Sequence, residues 1–257
     1  MEMAVLTDII NYCDDLLEST QFQDYCPNGL QVEGRREVSN IVTGVTASQA
    51  LIDAAVDAKA DMLLVHHGFF WPGESPRIIG MKFRRIKRLI EENISLVSYH
   101  LPLDAHPILG NNAQLANRLD IEVQGRFGGS GVQAIGMYGK IFEPTAASNF
   151  AQHISQVLNR QVLHIPADSK ANSSIQTIAW CTGAAQNYIE QAVDLGVDAF
   201  ITGEASEQTT HIARECGIHF FAAGHHATEC YGVKALGEHL GQHFEVNQQF
   251  INIDNPI

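Results

Sequence analysis

Apolar residues at Leu6, Ile9, Ile10, Cys13, Leu16 and Leu17 recur at helical spacing, with Thr7 as the expected N-cap, so the spacing predicts an opening amphipathic helix. QDYCPNGLQVEG follows, and its Pro, Asn and Gly mark a loop. Short apolar runs then alternate with helical patterns: strand NIVTGVT, helix ASQALIDAAVDAKA, strand DMLLVHH, basic helix MKFRRIKRLIEEN, strand ISLVSYH and a helix after LGNN. FGGSG, residues 127–131, is the predicted linker and separates a first half, 1–126, from a second, 132–257. The second half continues with strand AIGMYGKIFEP and helix TAASNFAQHISQVLNR. It ends in an amphipathic helix with Val233, Leu236, Leu240 and Phe244 on one face. Strands alternating with helices predict an α/β protein whose sheet is mostly parallel and covered by helices on its faces.

The halves resemble each other. A shift of 137 places IVTGVTASQALIDAAVDAKADMLLVHH, from residue 41, over IAWCTGAAQNYIEQAVDLGVDAFITGE, from residue 178. Ile41, Ala47, Gln49, Ile52, Ala55, Val56, Asp57 and Asp61 meet identical residues, and polar positions are paired as well as apolar ones. With 12 residues removed from the first copy, His100-Leu-Pro-Leu-Asp104 falls over His225-His-Ala-Thr-Glu229. An internal duplication accounts for both matches.

Charge and cysteine content narrow the class. The 16 Lys+Arg against 29 Asp+Glu leave a net charge of −13, which offers no general basic footprint to a nucleic-acid backbone. The basic run KFRRIKR (82–88) reads as a solvated helix face or, alternatively, an anion-binding surface. Cysteines at 13, 26, 181, 216 and 230 are scattered and form no C-x-x-C pair, the usage of a reduced cytoplasmic protein. No leader pattern or membrane-length apolar run is present, and no G-x-S-x-G, G-x-x-x-x-G-K-[ST], G-x-G-x-x-G or H-E-x-x-H motif occurs.

The chemistry gathers where apolar runs stop. LLVHHGFFW ends its run at His66 and His67, and AGHHATEC carries His225 and His226 with Glu229 after IHFF. Imidazoles with carboxylates are the ligands of divalent metals that must stay open to substrate. Adjacent strand residues point to opposite faces, so His66 and His67 are expected to serve two ions from a strand end. Two close ions need a bridging group, and Asp104 and Glu229 are the carboxylates that can supply it. His225 and Glu229 share one face if their segment is helical, whereas Pro102 argues against a continuous helix from His100 to Asp104. His100 is either a ligand or a partner that orients one, and His226 a substrate contact or another such partner. Phe69, Phe70 and Trp71 either stack on a planar base at the site or pack in the core or an interface. His106, His153, His164, His211, His219, His239 and His243 are expected to be ordinary surface or core histidines, and Cys230 a buried thiol. Loops after strands 62–66, 95–99, 198–202 and 218–222 should converge, because parallel sheets place functional loops at strand carboxyl ends.

YCPNGLQVEG, VHHG, HLPLDAHPILGNN, ITGE and AGHHATE, in this order over nearly the whole chain, strongly resemble the GTP cyclohydrolase 1 type 2 homologues, the Nif-three-like family, in its short bacterial form. The resemblance implies a three-layer α/β/α fold, internally duplicated, with two interlinked similar halves in one compact unit. It also implies a dinuclear metal centre and toroidal homohexamers built as trimers of dimers. Carried over by motif, the metal ligands are His66, His67, Asp104, His225 and Glu229, with His100 nearby. The implied activity is a metal-dependent hydrolase in which water opens the imidazole ring of GTP or a related heterocycle. Two divalent ions are implied per subunit, from among zinc, iron, manganese and nickel. Glu204, which the repeat places over His67, is the candidate for proton transfer, with a turn or capping role as the alternative; His100 is the other catalytic candidate. The alternative function is a non-catalytic metal-binding scaffold or regulatory partner.

Overall fold

The computed structural model describes residues 3–167 and 174–257. Chain order begins with β1 (Ala4–Val5), α1 (Leu6–Leu16), β2 (Gly29–Val32), β3 (Glu37–Val38), β4 (Asn40–Thr46), α2 (Gln49–Asp57), β5 (Met62–His67), α3 (Gly80–Glu91), β6 (Ser95–Ser98) and α4 (Leu101–Ala105). It continues with α5 (Asn111–Arg118), β7 (Ile121–Phe127), β8 (Gly136–Ala146), α6 (Ala147–Val157), β9 (Leu163–Ile165) and β10 (Ser174–Trp180). Last come α7 (Ile189–Asp194), β11 (Ala199–Thr202), α8 (Glu207–Cys216), β12 (His219–Ala222), α9 (His225–His243) and β13 (Asn247–Phe250).

Two units divide these elements. One comprises the chain up to Leu103 together with Gly232–Asp254, the other Asp104–Tyr231 with Asn255–Ile257. The first unit's main sheet has the order β13-β4-β5-β6-β2, parallel from β13 to β6. The second has the order β7-β8-β10-β11-β12-β9, with β10, β11 and β12 parallel. The expected halves 1–126 and 132–257 therefore exchange ends, since β7 joins β8 in the second sheet and β13 returns to β4 in the first.

Each sheet is covered on both faces, which is why its central strands are nearly continuous apolar runs. In the first unit Val42, Leu63, Val65 and Leu96 pack with Leu51, Ile52 and Ala55 of α2 and Ile86 and Leu89 of α3. On the opposite face Gly237 of α9 lies so close to Thr43 that a Cβ would come within 2.5 Å of its methyl. In the second unit Ile178, Trp180 and Ile201 pack against α5 and α6, while Ala179, Phe200 and Phe220 pack against α7 and α8. Alternating residues of one strand thus serve opposite layers. Each fully buried Leu, Ile or Phe contributes about 1.5–3 kcal/mol, so these layers stabilise the frame that carries the strand ends.

The parallel pairs of the two sheets have matching register. Ile41 lies opposite Met62 and Ile178 opposite Ala199; Val42 lies opposite Leu63 and Ala179 opposite Phe200. The matched aspartates do the same work: Asp61 Oδ2 accepts from the Ser39 amide and hydroxyl and the Asn40 amide. Asp198 Oδ2 accepts from the Gln176 amide and from the Thr177 amide and hydroxyl.

Three local expectations are corrected. Thr7 lies inside α1, whose N-cap is Val5 with no side-chain cap. There the Leu6 amide donates to the Arg36 carbonyl at 2.8 Å, so a tertiary bond replaces the cap. FGGSG is no linker but part of the hairpin connection between antiparallel β7 and β8, with Gly128 and Gly131 at φ +79° and +58°. Pro102 does not prevent helix: it is the second residue of α4, where a missing amide hydrogen costs little.

Candidate metal centre

Both halves of the histidine pair belong to β5, and the residues around them fix each ring from behind. His66 is fully buried, and its Nδ1 donates to the Tyr99 carbonyl at 3.0 Å. A carbonyl only accepts, so the ring proton sits on Nδ1 and Nε2 becomes the ligand atom. His67 Nδ1 lies 3.1 Å from Thr46 Oγ1 on the neighbouring strand. His100 precedes α4, and its Nδ1 donates to Asp24 Oδ1 at 2.7 Å. Asp24 Oδ2 accepts from the Leu101 amide at 2.8 Å and Asn28 Nδ2 at 2.9 Å, while Asn28 Oδ1 takes the His100 amide at 2.8 Å.

The three rings close on one another despite the alternation of strand side chains. Centroids are 4.5 Å apart for His66 and His67, 5.0 Å for His66 and His100 and 5.6 Å for His67 and His100. One ligand atom from each lies within 4.8 Å of the others. Asp24, Cys26 and His100 form a similar group. Burial works against the Asp24 charge, but hydrogen bonds from His100, Asn28 and Leu101 hold its carboxyl below the usual range. Burial, with the Asp24 charge, pushes the Cys26 thiol up to about 12, and the hydrogen bond from His100 Nδ1 makes Asp24 the brace of that ring. Of the three aromatics after the pair, Trp71 stands at the site, edge-on to His67 and His100 at 5.7 and 5.0 Å. Phe69 is buried in the core cluster and Phe70 is exposed.

The second unit gathers the carboxylates. Asp104 Oδ1 accepts from Asn111 Nδ2 at 2.9 Å and Thr182 Oγ1 at 3.4 Å. His225 opens α9 and Glu229 follows one turn later, with His225 Nε2 3.1 Å from Glu229 Oε2. His225 Nδ1 donates to Glu204 Oε1 at 2.6 Å. Burial disfavours a charged His225, but the Glu229 and Glu204 carboxylates outweigh it and raise the ring to about 9. Asp104 and Glu229 are only 5% and 3% exposed. Cys181 senses both: its thiol is pushed well up by burial first, then by the Asp104 and Glu229 charges. Two carboxylates this buried call for compensating positive charge, and with braced imidazoles at hand the donor set fits a divalent metal.

The structure thus brings His66, His67 and His100 together in one unit and Glu204, His225 and Glu229 in the other, with Asp104 and Glu229 both acting on Cys181. His226 is nearly buried, its amide donating to the Ile257 carbonyl at 3.0 Å. Cys230 is a protonated thiol pushed up to about 12 by burial and Glu229. His164 and His219 pair with each other at 3.1 Å, and His239 and His243 stack on Tyr12. Sequence reasoning missed Asp24, Asn28, Thr46, Asn111, Thr182 and Gly183. A Cβ on Gly183, which has φ +69°, would run into the Glu229 carboxylate, so only glycine lets the chain pass. The surviving signals were DYCPNG and CTGA, polar or glycine-bearing turns beside the loaded segments.

Parallel strands ending in braced imidazoles, with buried carboxylates beside them, define an α/β protein whose clustered His, Asp and Glu side chains could hold a metal ion. The family model Duf34/NIF3 (NGG1p interacting factor 3) matches residues 4–256, and the chain belongs to this family. It is 54% identical over 255 residues to the GTP cyclohydrolase 1 type 2 homolog of Pseudomonas aeruginosa, covering 99% of this chain and 100% of that protein. The protein of the same name from Vibrio cholerae is 56% identical over 244 residues, covering 95% and 96%. A solved structure described as protein ybgI, of unknown function, matches with TM-score 0.94 and 48% identity, covering 99% of this chain and 100% of that one. Among the described residues, no helix is long and apolar enough to cross a membrane.

Proposed function

We propose that the protein is a metal-dependent hydrolase in which His66, His67, Asp104, His225 and Glu229 hold two divalent ions. The observation that carries this reading is the bracing of four imidazoles: His66 by Tyr99, His67 by Thr46, His100 by Asp24 and His225 by Glu204, each through Nδ1. Such backing fixes ring orientation and leaves Nε2 of His66, His67 and His225 as donor to a metal. Asp104 and Glu229, with two oxygens each, would be the groups able to serve both ions. When bound, such ions polarise a substrate oxygen and lower the pKa of a water. The chain's own residues do the rest. Glu204 is a positioning residue that acts through His225, and Asp24 keeps His100 set to hold or pass a proton at Nε2. Trp71, beside His67 and His100, offers an aromatic surface to a planar ring.

The substrate we propose is GTP or a related heterocycle, to which water adds at C8 so that the imidazole ring opens; the names of the relatives support this class. We further propose a cytoplasmic homohexameric ring, a trimer of dimers, made of subunits related by closed symmetry, and a duplicated strand-helix-strand module, supported by the matched registers. The test is incubation of metal-loaded protein with GTP and related heterocycles, followed by mass spectrometry. A product heavier by one water, absent in the Glu229→Ala variant, supports the hydrolase. An intact centre that consumes none of them leaves the metal-binding scaffold as the reading. Sedimentation should give a mass near six times 28.2 kDa, and a monomer at micromolar concentration would remove the ring.

A further inference from the structure

The segment after the first histidine pair carries chemistry that the metal centre does not use. Residues 77–88 hold Arg77, Lys82, Arg84, Arg85, Lys87 and Arg88, six of the chain's 16 Lys+Arg, with no acid between Ser75 and Ile90. In a chain of net charge −13 this is a local reversal of sign. Arg77, Lys82 and Arg85 line a pocket of about 270 Å³ whose apolar walls include Phe69, Ile79 and Met81. Glu74 lines it too, but Lys82 Nζ holds that carboxylate at 2.8 Å. Three cations against one carboxylate leave the lining at +2. Arg85 Nε is buried and has no hydrogen-bond partner among the described residues. A buried donor on a guanidinium is expensive to leave unmade, so an acceptor is owed at this position. The combination of forked donors, a second guanidinium and an ammonium suits the several oxygens of a phosphoryl group. Phe69, Ile79 and Met81 suit an apolar or planar body joined to it.

We propose that this pocket binds a small organic phosphate, with its charged group on Arg85 and Arg77 and its body on Phe69, Ile79 and Met81. The site does not depend on the metal centre, and it is tested on full-length protein stripped of metal with EDTA. Phenyl phosphate and inorganic phosphate are titrated by calorimetry. Phenyl phosphate should bind saturably and about tenfold more tightly than inorganic phosphate, because burying the ring adds to the charge contacts. Arg85→Gln and Arg77→Gln should each weaken phenyl phosphate about tenfold, the scale of one charge-assisted hydrogen bond. Arg77 lies in an exposed loop, so its variant keeps the test valid if Arg85→Gln unfolds. Lys87→Gln removes a charge from the same helix but outside the pocket, where Lys87 pairs with Glu91 in solvent, and should change affinity less than about twofold. Equal loss in Lys87→Gln, no loss in the arginine variants, or no saturation below about 10 mM phenyl phosphate would overturn the site.

Discussion

The module β4-α2-β5 and the module β10-α7-β11 share a frame and differ at its exit. Both have the same strand register, and both tie the first strand to the aspartate just before the second, buried Asp61 or half-buried Asp198. The positions paired by the 137-residue shift then diverge: His66-His67 leaves the first frame and Gly203-Glu204 the second. A Cβ at 203 would come within 2.6 Å of the Gly183 carbonyl and of His225 Cα, so no imidazole fits where the first module has one. The second module supplies a carboxylate that braces His225 instead. The frame follows from burial and backbone hydrogen bonding, whereas the chemistry is set by the two residues just beyond it. That division makes the comparison breakable by substitution.

The largest expected effect lies at the exit. Glu229→Ala should lose most of the bound metal while circular dichroism shows a folded chain, because two packed sheets rather than an ion hold a protein of this size. Full metal retention in that variant would remove Glu229 as a bridge. The shared frame predicts the next effect. Asp61→Ala and Asp198→Ala should each cost about 2–4 kcal/mol in urea unfolding, since each strands three donors. Asp61 also meets Arg35 at 2.7 Å, but that arginine is half exposed, so the pair adds at most about 1 kcal/mol. A gap well beyond that between the two variants would break the equivalence of the modules.

Most of the frame was readable because parallel strands buried on both faces leave an unmistakable pattern: NIVTGVT is β4 as predicted, and MLLVHH is β5. The histidine pairs and Glu229 were readable because they interrupt such runs. Asp24 was not, since its partner His100 is far along the chain and DYCPNG reads only as a turn. Thr7 and FGGSG were misread for a related reason. A capping residue and a glycine-rich turn look the same whatever the chain does next, and pairing of β1 with β3 and of β7 with β8 decided the outcome. Pro102 misled because its effect depends on position within a helix, and α4 begins one residue before it.

Smaller effects sharpen the contrast between a ligand and its brace. Glu204→Ala should weaken metal binding about 10- to 100-fold, the usual scale for losing the partner of a ligating histidine, in competition with a metal-sensitive dye. No change would leave Glu204 with a turn role only. The mildest test is pH dependence of the metal-free protein. His225 is raised from 6.5 to about 9, so its contribution to stability is complete below about pH 6.5 and is lost as pH rises through about 9. Thermal melting should therefore decline across that window, and less steeply in Glu204→Ala, which removes the smaller of the two carboxylate effects and leaves that of Glu229. Metal must displace the same proton, so affinity should climb over the same range. A melting profile that rises toward pH 9 would reverse the assignment.

The central proposal is that His66, His67, Asp104, His225 and Glu229 hold a pair of ions. Metal content per chain of anaerobically purified protein tests it most directly, by plasma mass spectrometry against protein concentration from amino-acid analysis. The account predicts about two ions per chain, the stoichiometry of a bridged centre. A value that stays at one or below, after loading with zinc, iron, manganese and nickel in turn, would contradict it.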